Sequence, residues 1–108
     1  MIASIARLRH RLTLETPVRL GDGAGGATEA WVAIADVWAA IRSMSGSESY
    51  AAHRISGRVT HEIWLRPRTD LAPNQRFRRS SRIFLIHAVL RGEEPARRIR
   101  CLCEERDL

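Results

Sequence analysis

Lysine is missing from this sequence: all 18 of its basic residues are arginine. A guanidinium fork binds phosphate and carboxylate oxygens in bidentate fashion, so an all-arginine surface suits phosphate contact. The same choice, beside 14 alanines, is also what a GC-rich genome produces. Long apolar runs are missing too. The longest, residues 83–90, is interrupted by His87 and falls well short of the roughly 18 residues a membrane helix requires, which excludes a spanning helix. The start of the chain, residues 1–6, is apolar but short and meets Arg7, Arg9 and Arg11 where a cleavage region would lie, so it is not read as a secretion signal. Cysteine is scarce. Cys101 and Cys103 are two residues apart on an expected strand, where Cα atoms lie about 6.5–7 Å apart, the far limit for a disulfide. So small a loop would also constrain little, and reduced thiols in a cytosolic protein are the expectation.

What is present describes one folded domain. The chain has 108 residues, 44% hydrophobic and 28% charged, close to the globular average and far from the composition of disordered chains. Its formal net charge of +6 favours association with polyanions or with an acidic protein face.

Residues 8–15 alternate, with Leu8, His10, Leu12 and Leu14 on one face and Arg9, Arg11, Thr13 and Glu15 on the other, the period of a half-buried strand. Pro17 and the four glycines of residues 21–26 predict a flexible loop over about 16–28. No strand leads from it into a helix N-terminus, so a phosphate-cradling turn is excluded. Residues 30–41 favour two short strands joined by a bend or bulge at Asp36, with Val37 and Trp38 on opposite faces. Residues 45–55 change character: serines able to cap, Glu48 in the first turn, then alanines and a cation near the end predict a short helix. Ser47, Tyr50 and Arg54 would share one of its faces, and Gly57 ends it.

A strand follows over 59–66, with Val59, His61, Ile63 and Leu65 facing one way and Thr60, Glu62, Trp64 and Arg66 the other. Pro67 stops it. A short strand near 75–78, a strand over 82–90 that reads as buried on both sides, and a last one over 97–104 with Ile99, Cys101 and Cys103 on one face complete the chain. The prediction is a mainly β fold: a small barrel or sandwich of about six antiparallel strands, with one short helix in an inserted loop at about 44–58.

No catalytic arrangement emerges from four histidines, two thiols and twelve carboxylates. His10 and His61 sit in apolar alternation and read as structural. The Cys-x-Cys spacing has no H-x₃₋₅-H partner for zinc, and neither a G-x-S-x-G elbow, an H-E-x-x-H pair nor a P-loop occurs. No metal and no cofactor is expected. Trp31, Trp38, Trp64, Tyr50, Phe77 and Phe84 offer a stacking platform on a basic barrel, which makes a non-specific single-stranded nucleic-acid binder of OB-like form the alternative function.

Taken in order, Leu8-Arg9-His10-Arg11-Leu12-Thr13-Leu14, Gly25-Gly26-Ala27-Thr28-Glu29-Ala30-Trp31, Val37-Trp38-Ala39-Ala40-Ile41, Ser45-Gly46-Ser47-Glu48 and Val59-Thr60-His61-Glu62-Ile63 resemble the phage head–tail joining protein family nearly end to end. The resemblance implies a non-enzymatic connector or stopper subunit in the neck of a tailed phage, a prophage or a gene transfer agent-like particle, assembled in the bacterial cytoplasm. It implies a homo-oligomeric ring, six-fold by preference, with a portal or adaptor protein above, a tail terminator or tail protein below, double-stranded DNA in the lumen and no membrane. It places a channel or stopper element at 44–58, with Met44, Ser45, Gly46, Ser47, Glu48, Tyr50 and Arg54 as its candidate residues. Arg9, Arg11, Arg66 and Arg68 are the candidates for facing DNA or an acidic partner. In such a ring the loop of residues 16–28 would order only against a neighbour.

Overall fold

The computed structural model describes residues 7–48, 58–91 and 98–107. Its first two strands, β1 (His10–Gly21) and β2 (Ala27–Ser43), form one long antiparallel hairpin that pairs from His10↔Ala39 out to Gly21↔Ala27. The predicted loop over 16–28 is therefore corrected: only five residues turn the chain, and the rest is paired strand. Pro17 does not end β1 because β4 leaves that strand at Glu15, and an edge strand tolerates a missing N–H. At the tip, the Asp22 carboxylate accepts from the Ala24 and Gly26 N–H groups at 2.8 and 3.0 Å. Gly23 and Gly25 take φ of 82° and 86°, a region that a side chain disfavours.

Four further strands, β3 (His61–Leu65), β4 (Arg76–Arg79), β5 (Arg82–Leu90) and β6 (Ile99–Asp107), complete a closed barrel in the order β1-β2-β3-β6-β5-β4, antiparallel throughout. Closure leaves no edge on the barrel itself. The hairpin outgrows it: β4 pairs β1 only at Thr13–Glu15, and β3 pairs β2 only over residues 39–43. Residues 16–21 and 27–34 consequently form a two-stranded arm, and the molecule measures 52 × 28 × 27 Å.

Two bulges set which side chains face inward. Between Leu14↔Ala35 and Glu15↔Ala33 the register skips Ile34, and between Ile86↔Cys103 and Ala88↔Leu102 it skips His87. Each extra residue reverses the alternation of its strand. Before the bulge in β5, Phe84 and Ile86 face the core; after it, Val89 does. The expected break in β2 is thus real but lies at Ile34, not Asp36, and β2 remains one strand. Val37 is buried and Trp38 half exposed, on opposite faces as predicted.

The barrel interior holds Leu12, Leu14, Ile63, Leu65, Phe77 and Phe84 at 1% exposure or less, with Ile99, Cys101 and Cys103 from β6. Truncating either phenylalanine to alanine would cost about 3–5 kcal/mol. Val59 is corrected: it does not join His61, Ile63 and Leu65 but packs with Leu102, Met44, Ala88 and Leu90 in a second cluster. A helical turn begins at Gly46, and the rest of the segment predicted as helix, with Tyr50 and Arg54, lies outside the described residues.

Candidate assembly surfaces

The connection from β2 toward β3 starts from a charged anchor. Glu62 is 1% exposed, and its carboxylate accepts from Arg42 Nε at 2.8 Å and from Arg100 Nη1 at 2.9 Å. Arg42 also donates both Nη groups to Glu48 at 3.1 Å. Ser45 caps the helix: its hydroxyl accepts from the Glu48 N–H at 3.2 Å, and Glu48 accepts from the Ser45 N–H at 2.9 Å, a capping box. The Arg42 guanidinium, followed by the Ser45 N–H and hydroxyl, holds the Glu48 carboxyl down to about 2. Arg42 therefore ties the first turn of the inserted segment to the barrel wall. Met44 packs in the cluster with Val59 and Leu102, whereas Ser45, Gly46 and Ser47 are exposed.

The four candidate arginines separate. Arg9 is exposed just ahead of β1, and Arg11 is spent on Asp36 at 3.0 Å, beside Thr13, whose hydroxyl donates to the same carboxylate at 2.9 Å. Arg68 pairs with Asp70 at 2.7 Å, which holds that carboxyl below its usual range. Arg66 is exposed and makes no ion pair among the described residues. Arg66 and Arg68 come together, with Trp38 and Pro67, around a cleft of about 220 Å³ where β3 diverges from β2.

The arm carries an apolar face. Because β1 runs without irregularity, Thr16, Val18 and Leu20 continue the side that Leu12 and Leu14 present to the core, and Val32, Ala30 and Thr28 lie opposite them. Val18, Leu20, Val32 and Ile34 are 37–50% exposed. The other face is braced at its root: Arg76 lies 4.2 Å from the centre of the Trp31 ring and donates to Glu15 at 2.6 Å.

Residues 3–106 match the phage head completion protein family. The chain belongs to that family. It is also similar to the solution structure of protein SF1141 from Shigella flexneri 2a, at 28% identity and a TM-score of 0.77, over 94% of this chain and 95% of that one. A chain from the virion of a native gene transfer agent particle is similar at 35% identity and a TM-score of 0.67, over 94% and 96%. Comparison with curated proteins gives no match.

In this head completion protein both thiols are buried in the barrel. Burial pushes the Cys101 thiol up to about 12 and the Cys103 thiol well above its ordinary value, and both are free. His61 stands edge-on to Phe84 at 5.3 Å, its pKa lowered by burial and by Arg82 against the opposing pull of Glu105. His87, the bulged residue, bonds Glu104 at 2.9 Å. Among the described residues no three His, Cys, Asp or Glu side chains gather as a metal site. Among the described residues the aromatics form no platform: Phe77 and Phe84 are core, Trp31 lies under Arg76 and Trp64 beside Arg100, which leaves Trp38 as the exposed described ring. Sequence reasoning missed the arm face and the Glu62 anchor. The run Thr16-x-Val18-x-Leu20 after Leu12-x-Leu14 was the available signal for the first; the second had none, because Glu62 alternates like any solvent-facing carboxylate.

Proposed function

We propose that this protein is a ring-forming neck component that joins a DNA-filled head to its tail and extends or closes the DNA channel. Membership of the phage head completion family over residues 3–106 carries this reading. The likeness to a chain of a gene transfer agent virion supports a place in a particle of phage type. A six-fold ring is preferred, with a portal or adaptor protein on one side and a tail terminator or tail protein on the other.

The segment at 44–58 is the proposed channel element. Its support is the anchor at its first turn: Arg42, Glu48 and Glu62 fix where the segment leaves the barrel, as a part projecting from a rigid wall requires. Of the four candidate arginines, Arg66, exposed and without an ion partner among the described residues, and Arg9, also exposed, are the two left to meet phosphate or an acidic face. Arg11 and Arg68 have intramolecular partners. The test is a particle preparation lacking this protein, viewed by electron microscopy: DNA-filled heads and full-length tails should accumulate apart, and normal joining would refute the reading.

A further inference from the structure

The barrel has a polar mouth at the end where β1, β3 and β5 begin and β2, β4 and β6 finish. There the core-facing rows run out into polar residues: His10 lies beyond Leu12, His61 beyond Ile63, Arg79 beyond Phe77, Arg82 beyond Phe84 and Glu105 beyond Cys103. Phe84 is the floor, with the Arg82 guanidinium 4.8 Å from the centre of its ring and His61 edge-on to it at 5.3 Å. We infer that this mouth, with Arg79 and the neighbouring Arg7 and Arg9, grips the phosphate backbone of double-stranded DNA. The inference rests on the neck reading for the duplex it names, and on the mouth itself for the phosphate chemistry.

The charges at this end do not balance. Glu105 is already taken, by Arg82 at 2.7 Å and His61 at 3.5 Å, and Asp107 lies opposite Arg82 in the register. Arg79 also faces Arg82 directly, across the β4–β5 hairpin, and like charges so placed cost stability. Arg7, Arg9 and Arg79 are exposed and have no ion partner among the described residues. The Arg9 N–H bonds the Arg7 carbonyl at 3.0 Å, which holds both residues at the entry to β1. β4 runs antiparallel to β1, from Arg78 opposite Thr13 toward that same entry. Burial, then Arg79, Arg9 and Arg82, keep the proton off His10, so the fields of three guanidiniums meet at one ring.

Chemistry selects the partner. The large apolar side chains exposed among the described residues lie on the arm and at Trp38, and none at the mouth. A protein interface has an apolar centre depleted of charge, whereas a nucleic-acid interface is polar and strongly positive. Guanidinium forks take phosphate oxygens two at a time. Single-strand binders add aromatic rings on which bases stack, and no exposed ring stands at the mouth among the described residues, which favours the duplex.

The test is binding of a short DNA duplex to the full chain, read by fluorescence anisotropy between about 50 and 200 mM salt. The logarithm of the affinity should fall with that of the salt by about 0.9 per neutralised phosphate, hence a slope of roughly −3 for Arg7, Arg9 and Arg79. Arg9→Gln and Arg79→Gln should each flatten that slope by about 1. Arg19→Gln, which takes the same charge from the exposed arm, should leave it unchanged. Arg9 and Arg79 are exposed and Arg79 stands in a like-charge pair, so Tm should hold or rise in their variants. A parent without salt-dependent binding, an Arg19 variant that loses as much slope as the mouth variants, or tighter binding to a single strand that weakens on Trp38→Ala would overturn the proposal. Mouth variants that bind DNA as the parent does would overturn it too, and would leave an acidic protein face as the partner. Head–tail joining tests the neck reading separately: joining without the protein removes the neck function and leaves the DNA result standing, whereas an unchanged salt slope removes the mouth contact and leaves the neck function standing.

Discussion

Replacing Arg42 by methionine probes the clasped carboxylate of Glu62. Glu62 is 1% exposed, and its oxygens are shared between Arg42 and Arg100, which are themselves 33% and 38% exposed at the side chain. Breaking a buried pair by removing one partner costs about 3–5 kcal/mol, because it leaves a dry, half-satisfied charge. Here water reaches both arginines, so the vacated side is partly rehydrated and the expectation is the lower end, about 3 kcal/mol. For a domain of this length that corresponds to a fall of about 12 °C in Tm, at roughly 4 °C per kcal/mol. Urea unfolding followed by tryptophan fluorescence measures it. Arg42 also bonds Glu48, so Glu48→Gln measured in parallel isolates that contact. The double variant R42M/E62L removes the buried charge along with its partner and should recover most of the loss, since apolar replacement of a buried ion pair is often neutral. An R42M cost below about 1 kcal/mol, the size of an exposed pair, would refute the reasoning, as would a double variant less stable than R42M.

Both thiols should resist iodoacetamide at pH 8 in the folded protein and react fully in urea, because burial raises Cys101 to about 12 and Cys103 well above its ordinary value; labelling of the native state would contradict this. Stability should fall on acidification from pH 7.5 to 5.5. Burial depresses the folded pKa of His61 and His10 below 6.5, so the unfolded chain takes up these protons first, and the loss begins as pH drops through that value. Glu104, Glu105 and Asp70, held down by His87, Arg82 and Arg68 respectively, add their loss only at more acid pH. A Tm that rises toward pH 5.5, or a slope unchanged in His61→Gln, would contradict the assignment.

The strands of the barrel were legible because each keeps a period of two against one packed core. Leu12 and Leu14, Ile63 and Leu65, Cys101 and Cys103 all lie where that period put them. The capping role of Ser45 and the place of Glu48 were legible for the same kind of reason, being local chemistry within four residues. What the sequence concealed is non-local. Pro17 and a run of glycines signal a loop until the neighbouring strand is known to end at Glu15, and only then does an unpaired edge make proline admissible. Val59 follows the alternation of β3 yet precedes the strand, so the backbone turns it into another cluster. Glu62 is buried by what meets it from β2 and β6, and no pattern along β3 carries that information. Candidate site residues divide likewise: the contacts of Ser45 with Glu48 are local and legible, while the separation of Arg66 from the paired Arg11 and Arg68 depended on the positions of Asp36 and Asp70.

The unpaired Ile34 acts as a phase shifter between two otherwise independent structures. On the barrel side of it the odd-numbered Val37 and Ala39 look inward; on the arm side the even-numbered Thr28, Ala30 and Val32 take the same side. Removing that one residue would leave Leu14↔Ala35, Glu15↔Ala33 and Thr16↔Val32 as they are, and Val32 and Ala30 would keep their side under plain alternation. A single-residue deletion at this point is therefore silent for the arm face and for the barrel alike, because the bulge only absorbs a change of count between the two. A relative one residue shorter here should therefore present the same arm face, whereas a one-residue change within a paired stretch would turn over the strand beyond it.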